Sequence, residues 1–325
     1  MSSLEGITTK WIGRLGRLLG RTGEPGKQAG GGSGVSAKRY HLHLGVHKTG
    51  TTFTQTVFRI NERKLNSAGI AYRDLAYTRK NLTPFLVGLS RRKWAVPPEK
   101  CRERILSEIH CPEFTSARRV VISDENLLGF VSDILRKNGY RSLVRRLTPI
   151  QAVLGGEVRV FLTIRNYADF ISSMYCELVA TKPYFSFEQI RQGKFVSELS
   201  WVKVYRDLVR VFGKENVVIF EYQTLFSNLG ESLSFLAGGD IDFDYPRKEI
   251  RSSPSAKAIE CIRTESEANS SLPPRKIVEN AVRKFPRNAG NPAFDPWTPE
   301  ERAMLDERYR KDLEQIPCWR PETVR

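Results

Sequence analysis

A chain of 325 residues with 40% hydrophobic content can bury a sizeable core, so one large domain or two small ones are the reasonable organisations. The net charge of +16 favours anionic partners: a nucleotide, a sulfated or phosphorylated glycan, nucleic acid or a membrane surface. Cys101, Cys111, Cys176, Cys261 and Cys318 are few, odd in number and scattered, which excludes a disulfide framework and Cys-x-x-Cys metal spacing and fits a reduced cytoplasmic setting; no run of about 18 apolar residues occurs, so no membrane-spanning helix is expected.

The first 38 residues form a separate, basic tail. Residues 26–34 have the glycine-rich composition of a flexible linker. Before it, residues 10–21 wound as a helix place Trp11, Ile12, Leu15, Leu18 and Leu19 on one face and Lys10, Arg14, Arg17 and Arg21 on another. That pattern suits a helix lying on an anionic membrane surface. Gly13, Gly16 and Gly20 each cost about 1 kcal/mol relative to alanine, so the segment is not expected to stay helical in water. A disordered leader is the alternative, and both stay open.

From residue 39 to 325 strands and helices alternate, which predicts one α/β domain with a central, mostly parallel sheet covered by helices on both faces. Strands are expected at Tyr40–Leu44, Arg119–Ser123, Arg159–Ile164 and Val217–Phe220, whose apolar, β-branched and aromatic residues suit burial on both faces of the sheet. Helices are expected at Thr52–Leu65, Pro98–Ile109, Asp133–Leu147, Ala168–Val179, Trp201–Phe212 and Pro299–Gln315. The last opens on Thr298-Pro-Glu-Glu301, a capping box with proline at the first helical position.

Residues 40–53 carry the first functional signal: a short apolar strand, a loop of glycine and hydroxyl residues, then a helix start. Such a loop aims backbone N–H groups and a helix dipole at one point and so cradles an anion. From Gly45 the spacing is Gly-x-x-x-x-Gly-x-Thr, with Gly50 and Thr52 in the places of a Walker phosphate loop. The Walker lysine is missing, because Thr51 follows the second glycine. The cation of this loop is Lys48, three residues earlier, where it faces a different part of the ligand.

His47-Lys48-Thr49-Gly50-Thr51-Thr52 resembles the 5'-phosphosulfate loop of sulfotransferases, which take a sulfuryl group from 3'-phosphoadenosine-5'-phosphosulfate (PAPS), and in particular the bacterial polysaccharide-type members. The resemblance implies a P-loop-like α/β fold, and the lack of a long apolar run argues against the anchored Golgi type, so a soluble bacterial protein is expected. The resemblance also implies that the loop residues His47, Lys48, Thr49, Gly50, Thr51 and Thr52 bind the donor, with the hydroxyls of Thr51 and Thr52 on its 5'-phosphate.

The strand at Arg119–Ser123 ends in Asp124-Glu-Asn126. Bacterial sulfotransferases often carry a similar Ser-x-Glu-Asn sequence here, which implies Glu125 as the base for the acceptor hydroxyl, an effect worth about 10²–10⁴-fold. The same segment resembles a Walker B strand, in which Asp124 would hold Mg²⁺ through water. After the strand at Arg159–Ile164, Arg165 and Ser173 occupy the two places of the family's 3'-phosphate motif, with Asn166-Tyr167 where the family has Asn-Pro. An arginine leaving the carboxyl end of a sheet strand sits where open α/β folds bind ligands, and its planar fork suits a phosphate. Residues 217–222, residues 251–255 and the terminal helix add weaker likeness.

The remaining charged residues carry less. His41 and His43 share one side of the first strand and read as hydrogen-bonded packing groups, His47 as a residue shaping the loop or touching the substrate, and His110 as partnerless in sequence. No histidine, cysteine and carboxylate group has metal spacing, so no metal is expected. The basic runs at 91–93, 136–137 and 145–146 read as solvated faces, and without interleaved aromatics they do not point to nucleic acid. By resemblance the acceptor is a hydroxyl of a glycan, a lipid-linked glycan, a lipid or a small molecule, met by loops at 75–98 and 181–199. The expected location is the cytoplasm, with the tail able to reach the inner face of the membrane. Two rival readings remain: an ATP–Mg²⁺-dependent P-loop NTPase or kinase, and a non-catalytic membrane-surface protein on a degenerate P-loop.

Overall fold

A computed structural model describes residues 39–91, 96–109, 114, 116–136, 139–247, 253–268 and 272–321. The tail 1–38 with its expected helix over 10–21, His110, Cys111, Arg92, Lys93, Lys137 and Arg251 lie outside them. The centre is a five-stranded sheet of β1 (Arg39–His43), β2 (Ile70–Arg73), β3 (Arg119–Ser123), β4 (Val158–Ile164) and β5 (Val217–Glu221), ordered β2-β3-β1-β4-β5. Every pairing is parallel. Helices of nine or more residues are α1 (Thr51–Ile60), α2 (Leu82–Ser90), α3 (Pro98–Ile109), α4 (Leu143–Leu154), α5 (Tyr167–Thr181), α6 (Trp201–Phe212), α7 (Leu229–Ala237), α8 (Ala256–Ala268), α9 (Pro274–Lys284) and α10 (Pro299–Gln315).

The strands are buried on both faces, as a parallel sheet between helical layers requires. Leu42, Ile122, Val160 and Leu162 pack with residues of α2 to α6 and α10, among them Leu86, Ile105, Leu147, Phe170, Leu208 and Leu305. The opposite face sets Val121, Phe161 and Phe220 against Val57 and Phe58 of α1 and Leu233 and Leu236 of α7. From β1 the chain crosses to β3 and β2 on one side and to β4 and β5 on the other. The crevice between the carboxyl ends of β1 and β4 is therefore the topological switch point, where open parallel sheets bind ligands.

The four expected strands are present. A fifth, β2, extends the sheet edge; its four residues follow Gly69, whose φ of 72° turns the chain and whose carbonyl accepts from the Arg118 amide. The helix expected over 52–65 is two pieces, because Asn61 leaves helical geometry to clamp another segment. Its amide donates to the Val57 and Asp244 carbonyls, both at 2.8 Å, and its side-chain oxygen accepts from the Asp244 amide. The helix expected over 133–147 is also replaced by two, Val131–Arg136 and α4, with Gly139 at φ 94° between them. Helix α4 runs on through Pro149, a residue that ordinarily ends a helix. The capping box at Thr298 and Glu301 is present as expected.

Two segments expected as loops are largely helical. Leu75–Lys80 and α2 fill the first, and Glu188–Arg191 with Lys194–Glu198 shape the second. Arg146, expected on a solvated face, is buried and donates to the Asn126 carbonyl at 3.0 Å, so it braces the segment that follows β3. The described cysteines, Cys101, Cys176, Cys261 and Cys318, are free thiols. Among the described residues no helix is long and apolar enough to cross a membrane.

Candidate active site

The loop between β1 and α1 closes over the switch point. Its first residues continue the sheet, with the Leu44 and Val46 amides donating to the Phe161 and Thr163 carbonyls at 2.9 and 3.0 Å. The chain then folds back sharply, with positive φ at Gly45 (40°), Lys48 (65°) and Gly50 (78°). A Cβ on Gly45 would lie 2.4 Å from Thr51 Cγ2, and one on Gly50 2.4 Å from the Phe226 ring, so side chains are excluded at both. Lys48 is the one non-glycine residue with positive φ among the described residues. For an L-residue that conformation costs about 1–2 kcal/mol, strain of a kind that clusters at binding sites.

Thr49 braces the turn by donating to the Val46 carbonyl at 2.5 Å. Gly50 caps α1 without a side chain, so the first amides of the helix keep their donors for another partner.

Arg165 leaves β4 on the other side of the crevice. Its Nη1 donates to the Lys48 carbonyl at 3.0 Å, its Nη2 lies 3.8 Å from Asp169, and its guanidinium sits 4.7 Å from the centre of the Tyr222 ring. Its backbone is fixed as well, since the Trp201 indole donates to the Arg165 carbonyl at 2.8 Å. The buried Nε finds no hydrogen-bond partner among the described residues. A planar guanidinium held in place at a strand exit has the chemistry of an anion contact.

The loop lysine and the strand-exit arginine, 117 residues apart in sequence, are thus joined directly. Ser173 lies two turns along α5, buried, and its hydroxyl is 3.1 Å from that of Ser253. Lys48 reaches the same helix one turn further on, where its Nζ is 3.5 Å from Glu177.

A second cluster follows β3. Asp124 is fully buried and accepts from Arg79 Nε (3.2 Å), the Asn126 amide (3.0 Å) and the Thr83 hydroxyl (2.6 Å). Burial, with the neighbouring charge of Glu125, pushes its carboxyl above the ordinary value. Glu125 accepts from Arg79 Nη2 at 2.6 Å and from the Gln55 amide at 3.2 Å. Burial works to raise its pKa, but the Arg79 charge, then His47 and the Gln55 bond, outweigh it and hold Glu125 below the ordinary value. Asp124 therefore reads as an internal anchor, and Glu125 as an ionised carboxylate.

His47 ties this cluster to the loop, its Nε2 being 3.2 Å from the Asn126 side-chain oxygen. The Asn126 oxygen can only accept, so that contact calls for a proton on Nε2. Nδ1 finds no partner among the described residues. His41 and His43 are packing groups: His41 bonds the Leu236 carbonyl at 2.7 Å and His43 the Ser123 hydroxyl at 2.8 Å, and burial pulls both down to about 4.

Reasoning from sequence missed Arg79, Gln55 and Glu177, and it met Ser253 only within the weaker likeness of residues 251–255. Gln55 and Glu177 each stand four residues after a residue already singled out, Thr51 and Ser173, on the same helix face. Arg79 carried no signal, since its segment read as a loop.

No protein-family model matches the chain, and no curated protein matches it. Among solved structures it is similar to a sulfotransferase from Alicyclobacillus acidocaldarius, at 15% identity over 79% of this chain and 98% of that one, with a TM-score of 0.40. A likeness of that size leaves the function to be argued from the site's own residues.

Proposed function

We propose that the protein transfers a sulfuryl group from PAPS to a hydroxyl of an acceptor, most simply a carbohydrate or a lipid-linked glycan, on the cytoplasmic side of a membrane or free in the cytoplasm. The observation that carries this reading is the junction of the two motifs at the switch point, where Arg165 grips the carbonyl of Lys48. A strained loop with open amides then stands beside a fixed guanidinium, giving two anion contacts for a nucleotide that bears phosphates at both ends.

In this reading the amides of Lys48–Thr52, with the hydroxyls of Thr51 and Thr52, hold the 5'-phosphate. Arg165 and Ser173 hold the 3'-phosphate and so favour PAPS over ATP. His47 borders the loop on the acceptor side. As the acceptor oxygen bonds to sulfur, its proton passes to Glu125, and the bond from sulfur to the bridging oxygen breaks. Lys48 stabilises the charge growing on that oxygen, and adenosine 3',5'-bisphosphate leaves.

The NTPase reading is weaker on two counts. Thr51 occupies the place of the Walker lysine, and the guanidinium of Arg79 lies against Asp124, an unfavourable neighbour for a divalent cation. Thermal unfolding separates the two. Adenosine 3',5'-bisphosphate should raise the melting temperature more than ATP with Mg²⁺ at equal concentration, and the reverse order would favour ATP chemistry.

A further expectation concerns Glu125. Its pKa is depressed, chiefly by Arg79 working against burial, so the base stays ionised below the ordinary carboxylate range. In Arg79→Met the pKa should rise, and the acid limb of the pH–rate profile should move to higher pH while the alkaline side stays in place. An acid limb unmoved in this variant would take Glu125 out of the proton transfer.

A further inference from the structure

Helix α5 presents Asp169, Ser173 and Glu177 at intervals of four residues, a spacing that stacks them along one face. That face meets both cations of the site. Asp169 lies 3.8 Å from Arg165, but it also binds Arg302 at 3.3 Å, so this carboxylate is shared and its hold on Arg165 is the weaker of the two. Glu177 approaches Lys48 alone among the described cations, at 3.5 Å, with both side chains in reach of solvent. A carboxylate beside an anion cradle is unfavourable for any anionic ligand unless it is doing something for the empty site.

We propose that Glu177 is the resident counter-ion of Lys48, which sets donor affinity and product release by competing with the donor for the ammonium. The inference rests on the reading of the site as a PAPS site. In the empty protein the ammonium is held by Glu177, and the pair offsets part of the loop's positive charge. An incoming donor must draw Lys48 away from Glu177, so binding is an exchange of one anion for another. After transfer, Glu177 takes the ammonium back as the bisphosphate departs. Glu177 touches neither donor nor acceptor in this account and acts through Lys48 as a positioning residue.

The sign of the effect separates this role from a structural one. Glu177→Gln keeps the shape and removes the charge, so adenosine 3',5'-bisphosphate should bind more tightly. A partly exposed ion pair is worth up to about 1 kcal/mol, so the gain should be about three- to fivefold in Kd at low salt. Screening should erase most of it at about 0.5 M salt. In a Lys48→Ala background the same change should gain less than about twofold, because the competition has gone.

The experiment is calorimetric titration of the full chain and these variants with adenosine 3',5'-bisphosphate, with thermal unfolding to show that each is folded. Tighter binding that depends on Lys48 supports the exchange. Unchanged or weaker binding in Glu177→Gln, with the unaltered protein binding normally, overturns this inference alone. An unaltered protein that does not bind the bisphosphate overturns it together with the PAPS reading.

Discussion

Lys48→Ala should lower sulfuryl transfer by about 10²–10³-fold in kcat, while adenosine 3',5'-bisphosphate still binds. The substitution is well posed because the two functions of this residue are carried by different atoms. Its backbone, at φ 65°, shapes the loop, and its carbonyl accepts from Arg165. Alanine keeps both. What disappears is the ammonium, whose value in the reaction is greatest when negative charge develops on the bridging oxygen.

Binding of the finished bisphosphate depends more on the loop amides and on Arg165, so it should weaken only several-fold, as the attraction of the ammonium is lost. Transfer of ³⁵S from labelled donor, measured in single turnovers, is the direct readout. Turnover at the level of the unaltered protein would remove Lys48 from the chemistry. Lys48→Arg should not rescue, because a planar fork on a longer stem does not place a compact charge at the same point.

The central architecture was legible because it rests on strong local signals. Strands β3, β4 and β5 carry mainly β-branched and aromatic residues, and β1, although it contains His41 and His43, is buried from Tyr40 onward, as burial on both faces demands. The edge strand Ile70–Arg73 is only four residues long and is fixed by pairing with β3, a long-range contact without a local signature. Helix breaks were missed for a related reason. Asn61 ends its helix to bind Asp244, 183 residues away, and nothing near Asn61 announces that partner.

The reverse error occurred at Pro149, where a strong local breaker is overridden by packing, since Leu147, Ile150 and Val153 on either side of it are buried. At the site, residues that act through the backbone were readable, because Gly45 and Gly50 are dictated by positive φ and close approach. The residues that tune those groups were not. Arg79 comes to Glu125 from 46 residues away, and only the packing of Leu75–Lys80 against β3 brings it there.

Arg165→Ala should cost about 10- to 100-fold in affinity for adenosine 3',5'-bisphosphate, the worth of about one hydrogen bond to a charged group. The more telling quantity is the ratio of affinities for this ligand and for adenosine 5'-monophosphate. Arg165 has two roles that affect them differently. By donating to the Lys48 carbonyl it steadies the loop, which serves both ligands alike. In the proposed reading it also holds the 3'-phosphate, which only the bisphosphate has.

In Arg165→Ala the ratio should therefore collapse towards one, with a smaller common loss on top. Arg165→Lys should restore part of the bisphosphate affinity, since it returns the charge, but not the full ratio, since the fork that spans Lys48 and the ligand is gone. The surroundings favour a clean result. Trp201 holds the Arg165 carbonyl, and its ring stacks on Tyr167 at 5.4 Å, so the backbone at this strand exit should stay in place without the guanidinium. A ratio that survives in Arg165→Ala would leave Arg165 as a brace for the loop alone, and the 3'-phosphate would have to be held elsewhere.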